Sequence, residues 1–180
     1  MTIEPDTKDW TWVLDRRCLE CGFDAAAIAV SDVAPGIRAN AATWADILRS
    51  GPRSGDVRER PTPGIWSPLE YACHVRDVLR LYERRLDLML SQDDPLYANW
   101  DQDETAVSGR YGEADPTQVA KEIFVAARTI ADRFAGLAGA DWSRPGRRSD
   151  GAAFTVDSFS RYLLHDLVHH VHDVRPVRSA

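Results

Sequence analysis

Apolar residues recur at three- and four-residue steps along four stretches of the chain, each with its own start or stop signal. The first runs from about Pro35 to Arg49, entered by Ser31 or Asp32 and halted by Gly51-Pro52, with Ile37, Ala41, Trp44, Ile47 and Leu48 on one side. The second opens on Ser67-Pro68-Leu69-Glu70, a capping box with proline at the first helical position, and runs to about Ser91; Trp66 is set to staple onto Tyr71. Its face centred on His74 also holds Tyr71, Val78, Leu81, Tyr82, Arg85 and Met89, which turns His74 inward near the N-terminal end. The third opens on Asp115-Pro116-Thr117-Gln118 and carries Val119, Ile123, Phe124, Ala127, Ile130, Phe134 and Leu137 before stopping near Gly139. Thr155 caps the fourth, which has no Gly or Pro between Val156 and Arg175, ends at Pro176, and bears the stripe Val156, Phe159, Leu163, Leu167, Val171 and Val174.

Four such stripes and no convincing strand predict an all-α protein, a four-helix bundle over residues 31–176. Residues 1–30 read as an irregular N-terminal arm holding Trp10-Thr11-Trp12-Val13-Leu14 and a Cys18-x-x-Cys21 pair. Residues 92–114, with Trp100-Asp101-Gln102-Asp103-Glu104 inside, exceed an ordinary loop between adjacent helices. They predict a long crossover between the second and third helices, or a loop over a site. Gly51 to Gly64 is a Gly-, Pro- and Arg-rich loop, and Trp142 to Gly151 a basic one.

Composition narrows the classes without changing this architecture. At 180 residues, 44% hydrophobic and 28% charged, the chain suits one domain with a sizeable core. A net charge of −6 and a pI near 5.3 argue against a nucleic-acid binder, whose phosphate contacts call for a basic balance. The apolar runs are short of a membrane span and the polar segment Met1 to Lys8 is unlike a signal peptide, so a cytoplasmic location is expected. Three cysteines, an odd number, point to reduced thiols.

Candidate chemistry concentrates on the last helix, where His165, His169, His170 and His172 are four of the chain's five histidines. His165 and His169 stand one turn apart and are close enough to clasp one metal ion, and His172 continues that side. His165 to His172 spans roughly 10 Å at ~1.5 Å per residue, too far for one ion, so the pair is His165/His169 or His169/His172. A third ligand has to come from elsewhere, and His74 is the remaining histidine. The same helical count puts His165, His169 and His172 opposite the apolar stripe and His170 close to it. A solvated histidine face, or a single core histidine at His170, would therefore also account for the pattern. Three nitrogen ligands with one open position is the recurrent arrangement of catalytic zinc. No Gly-rich phosphate loop or nucleophile elbow is present.

Cys18-x-x-Cys21 is half of a structural zinc set, and only Cys73 remains to extend it. The favoured reading is two reduced thiols packed under the arm, the alternative a mixed Cys/His structural zinc; no helix start follows to make a redox couple. Asp101, Asp103 and Glu104 read as a solvated acidic turn ahead of site carboxylates.

Three motifs together resemble the DinB/YfiT-like four-helix bundles, a family that includes mycothiol-dependent maleylpyruvate isomerases and bacillithiol transferases. They are Trp66-Ser67-Pro68-Leu69-Glu70-Tyr71-Ala72-Cys73-His74 on the second helix, Trp100-Asp101-Gln102-Asp103-Glu104 in the connection, and Tyr162-Leu163-Leu164-His165-Asp166-Leu167-Val168-His169-His170 on the last helix. The likeness spans roughly residues 34–174 and is strongest to the actinobacterial branch. It implies a divalent ion, zinc before nickel or others, held by His74, His165 and His169 at an open end of the bundle, and mycothiol as a co-substrate. The implied function is a metal-dependent thiol S-transferase or thiol-assisted isomerase acting on an electrophile, with a homodimer left open. A non-catalytic bundle that binds metal or a partner under stress is the alternative.

Overall fold

The computed structural model describes residues 10–51 and 56–175. The segment Met1 to Lys8, residues 52–55 of the Gly51–Gly64 loop and the stop at Pro176 lie outside them. Four long helices, α1 (Val30–Ser50), α2 (Pro68–Ser91), α4 (Pro116–Ala135) and α5 (Val156–Val174), form the expected four-helix bundle, with a short α3 (Gln102–Ser108) in the long connection. α1 begins earlier than its stop-and-start signals suggest, so Pro35 stands inside it, where its missing amide leaves one carbonyl of the ladder without a partner. α2 starts as its sequence dictates: Ser67 Oγ accepts from Glu70 N at 3.2 Å, Glu70 Oε2 accepts from Ser67 N at 2.8 Å, and Trp66 meets Tyr71 edge-on at 5.4 Å.

Side-chain pairs fix the direction of each helix. Tyr82 stacks on Phe159 at 4.4 Å while His74 meets His170 at 4.7 Å, so α2 and α5 run antiparallel. Arg76 pairs with Glu122 at 3.1 Å and Arg133 pairs with Asp87, so α2 and α4 run parallel. Arg38 reaches Asp132 at 2.6 Å, which makes α1 and α4 antiparallel. α1 and α5 are parallel: a Cβ on Gly36 would sit 3.0 Å from Leu164 Cδ1, and buried Asn40 donates from Nδ2 to the Leu167 carbonyl at 2.8 Å. The parallel α2/α4 pair explains the long connection, since residues 92–115 must return along the bundle before α4 can start.

The core between these helices contains Ile37, Trp44, Leu69, Leu79, Ile130, Phe134, Phe159 and Leu163, all essentially sealed from solvent. On α4 the buried set is Val119, Ile123, Ala126, Ala127, Ile130, Ala131 and Phe134. Phe124, placed in the stripe by its sequence spacing, is instead 57% exposed, because it lies about 100° round the helix from Ile123 and the stripe is centred on the Ile123/Ala127/Ile130 line.

Two features depart from the expectation of helices alone. Strands β1 (Leu96–Tyr97), β2 (Pro145–Arg148) and β3 (Ala153–Thr155) form a small sheet, β1 parallel and β3 antiparallel to β2. Their two to four residues include Pro, Gly and Arg and show no alternation, so only backbone pairing reveals them. The arm is also more ordered than its sequence suggested: single 3₁₀ turns at Thr11–Leu14 and Ala25–Ala27 bury Val13 and Ala25, and Cys18 and Phe23 join the core.

Phe134→Ala should lower stability by about 3–5 kcal/mol, as expected for an aromatic side chain only 2% exposed, whereas Phe124→Ala should change it by less than ~0.5 kcal/mol. Urea unfolding of the two variants checks this, and equal losses would place the stripe elsewhere.

Candidate metal centre

Because α2 and α5 are antiparallel, the N-terminal part of α2 faces the C-terminal part of α5, and His74 meets that helix at two residues the sequence reading had not singled out as ligands. His74, Asp166 and His170 form one cluster whose candidate ligand atoms all lie within 4.8 Å of one another. His74 Nε2 is 4.0 Å from Asp166 Oδ2, and His170 Nε2 is 3.5 Å from Asp166 Oδ1. His165 and His169, with rings 5.1 Å apart, belong to a different cluster, shared with Cys18 and Cys21. The three histidines expected to act together are thus divided. The reason is the helical step of about 100°: Asp166/His170 occupy the side turned to α2, and His165/His169 the next side round, turned to the arm. His172 adjoins His169 at 6.0 Å and belongs to neither cluster.

The His74 cluster has the marks of a cation site. Both ring nitrogens of His74 and Oδ2 of Asp166 are buried with no hydrogen-bond partner among the described residues. Leaving such groups unmatched costs about 1–3 kcal/mol each, and a divalent ion between them would satisfy Asp166 Oδ2 and the His74 nitrogen that faces it, Nε2. Two imidazoles and a carboxylate are a fitting donor set for zinc or a similar ion, with one position left over. His170 is oriented from behind by Asp173, whose Oδ2 is 3.0 Å from Nδ1, the outer carboxylate commonly found behind a ligating histidine. Trp100 stacks on His74 at 5.3 Å, Trp66 lies 5.2 Å from it, and Tyr71 lies 5.2 Å from His170.

Electrostatics tell the same story. Burial, together with the charge of His170, drives the His74 pKa down to about 3 and keeps that ring neutral. Burial opposes ionisation of Asp166, but the charge and hydrogen bond of His170 outweigh it and bring its pKa to about 2. Burial likewise opposes the charge on His170, yet Asp166 and Asp173 hold its pKa up at about 10. In the metal-free protein a proton on His170 therefore balances Asp166, and any ion that binds must displace it.

His74, Asp166 and His170 line a cleft of about 1230 Å³, which His165 and His169 of the second cluster also reach. Trp10 covers the His165/His169 side, with its ring 4.7 Å from His169, and Trp66 and Trp100 frame the His74 side. Arg85, Arg148 and Asp150 also line the cleft. Arg85 is buried, donates to the Ala98 carbonyl at 2.8 Å and lies 4.8 Å over the Tyr97 ring, with its Nε unpartnered among the described residues. Asp101 caps α3 by accepting from Glu104 N at 2.8 Å and also reaches the cleft rim with Asp103.

A family model of the DinB superfamily matches residues 39–174. The chain belongs to the DinB superfamily. Among solved structures, this DinB fold is similar to YfiT from Bacillus subtilis, described as a probable metal-dependent hydrolase with an unusual four-helix bundle topology. The TM-score is 0.71 at 15% identity, over 82% of this chain and 86% of that one. No curated protein matches the chain. Among the described residues, no helix is long and apolar enough to cross a membrane.

The proton on His170 can be tested directly. Ring ¹⁵N shifts of metal-free protein at about pH 8, above the ordinary 6.5 of imidazole and below about 10, should report an imidazolium at His170. Adding a divalent ion should convert it to neutral imidazole; a neutral ring before metal is added would contradict the charge balance.

Proposed function

We propose that this DinB protein is a metal-dependent enzyme that activates a small thiol of the mycothiol class for S-transfer to an electrophile, or for thiol-assisted isomerisation, at His74, Asp166 and His170. The observation that carries this reading is the buried His74 ring, with both nitrogens unpartnered among the described residues, beside the equally unpartnered Oδ2 of Asp166 in a cleft large enough for a thiol and a second substrate together. A divalent ion bound there would lower the pKa of a thiol in its remaining position, so that the nucleophile is deprotonated at neutral pH. His74 presents a neutral imidazole because burial denies it a proton, and Asp166 supplies the negative charge that a dication needs. Asp173 holds the His170 ring in position through Nδ1. Trp66 and Trp100 keep water off the His74 ring. Arg85, which lines the same cleft, offers a cationic group to an anionic part of either substrate.

An open ligand set facing a cleft favours an enzyme over a purely metal-binding stress protein, for which a saturated site on bare surface would suffice. The description of YfiT as a probable hydrolase suggests the competing use of the same position, with water in place of the thiol.

Metal-loaded protein assayed with a mycothiol-class thiol and a panel of electrophiles should give conjugation or isomerisation that requires both metal and thiol. His74→Ala and Asp166→Ala should each abolish it while leaving the helical circular dichroism intact. Turnover of esters or amides without thiol would assign the position to water, and metal binding with no turnover in either assay would favour the non-catalytic reading.

A further inference from the structure

We propose that Cys18, Cys21, His165 and His169 form a second, closed zinc site that clips the N-terminal arm onto α5. Their candidate ligand atoms all lie within 4.8 Å of one another. Cys18 Sγ is 3.7 Å from His169 Nδ1, close to the roughly 3.6 Å edge that a tetrahedron has when Zn–S is about 2.3 Å and Zn–N about 2.0–2.1 Å. A thiol-to-imidazole hydrogen bond would account for that one contact. It would leave His165 Nε2, which is buried with no partner among the described residues. One cation answers all four donors together.

The backbone is built to present the sulfurs. Cys18 N donates to the Phe23 carbonyl at 2.8 Å and Gly22 N to the Cys18 carbonyl at 2.9 Å, which closes a tight loop around the pair. Gly22 sits at φ 78°, a left-handed conformation that side chains disfavour, so the residue after the second cysteine is glycine for a conformational reason. Behind the site, His169 Nε2 faces Glu20 Oε2 at 3.4 Å and Asp173 Oδ1 at 3.6 Å, the carboxylate support that fixes a ligating imidazole with its other nitrogen on the metal.

The two clusters differ in kind. Two thiolates and two neutral imidazoles neutralise a dication and fill a tetrahedron, which is the composition of a structural site. His74, Asp166 and His170 leave both a position and a charge uncompensated. The clip holds an arm whose described residues have only 3₁₀ turns of their own, and with them it holds Trp10, whose ring packs 5.7 Å from His165 and lines the cleft. This assignment does not depend on the activity proposed above.

The test is metal content and cobalt spectroscopy of the full chain, purified reduced. Wild-type protein should bind two ions, and its cobalt form should show thiolate-to-cobalt charge-transfer bands. His74→Ala should lose one ion and keep those bands, whereas Cys18→Ser with Cys21→Ser should lose one ion and the bands together. If the double variant fails to fold, wild-type protein decides alone: Cys18 and Cys21 should be protected from alkylation when metal is bound and react after chelation. Absence of the charge-transfer bands in the wild type, alkylation unaffected by chelation, or two ions retained by the double cysteine variant would each overturn the site.

Discussion

The antiparallel contact of α2 with α5 is the constraint on which the rest of this molecule depends. It is secured at one end by hydrophobic packing, Tyr82 on Phe159, and at the other it forces imidazoles and a carboxylate into a space with little water. Apolar burial thus supplies the stability needed to hold polar atoms, both His74 ring nitrogens and Asp166 Oδ2, that have no partner among the described residues. α5 changes character along its length: Phe159, Leu163 and Leu167 bind one side of it into the core, and from His165 onward its other sides serve two neighbouring clusters.

Most of the bundle is legible in the sequence because caps and stripes are local. Ser67/Glu70 and Thr155 start α2 and α5 where their sequences say, and the length of residues 92–115 announces a crossover that the parallel α2/α4 pair then requires. The small sheet is not legible, since Pro145-Gly146-Arg147-Arg148 has neither alternation nor β-branched residues and is ordered by its partners. Phe124 shows the limit of a stripe: several registers fit a run of apolar residues, and only the packing of neighbours selects one.

The candidate site was half legible. A histidine-rich helix and an inward His74 point to one end of the bundle, and both candidate ligand clusters lie there. Their grouping depended on the rotation of α5 about its axis. A signal existed: the helical count set His170 close to the apolar stripe, hence on the side that meets α2, and Asp166 lies four residues before it. For Cys18 and Cys21 the sequence offers a mixed Cys/His zinc only as an alternative, because an arm without periodicity gives no indication of which histidines it docks beside. With the arm in place, the sequence motifs C-x₂-C and H-x₃-H, distant along the chain, become neighbours.

The hydrogen bond from Asn40 to the Leu167 carbonyl has a mechanical meaning for all of this. Parallel helices packed through smooth apolar ridges can exchange one interdigitation for the next by sliding, and a slip of one turn is about 5.4 Å. A buried amide that finds its acceptor at a single height penalises every other setting of α5 relative to α1, since the displaced amide would be left dry and unbonded. Asn40 lies outside both clusters, yet it acts as the detent that sets the elevation of His165, Asp166, His169 and His170 against α2 and the arm. A side chain on a helix that contributes no candidate ligand thus helps to set the height of the candidate ligands on α5.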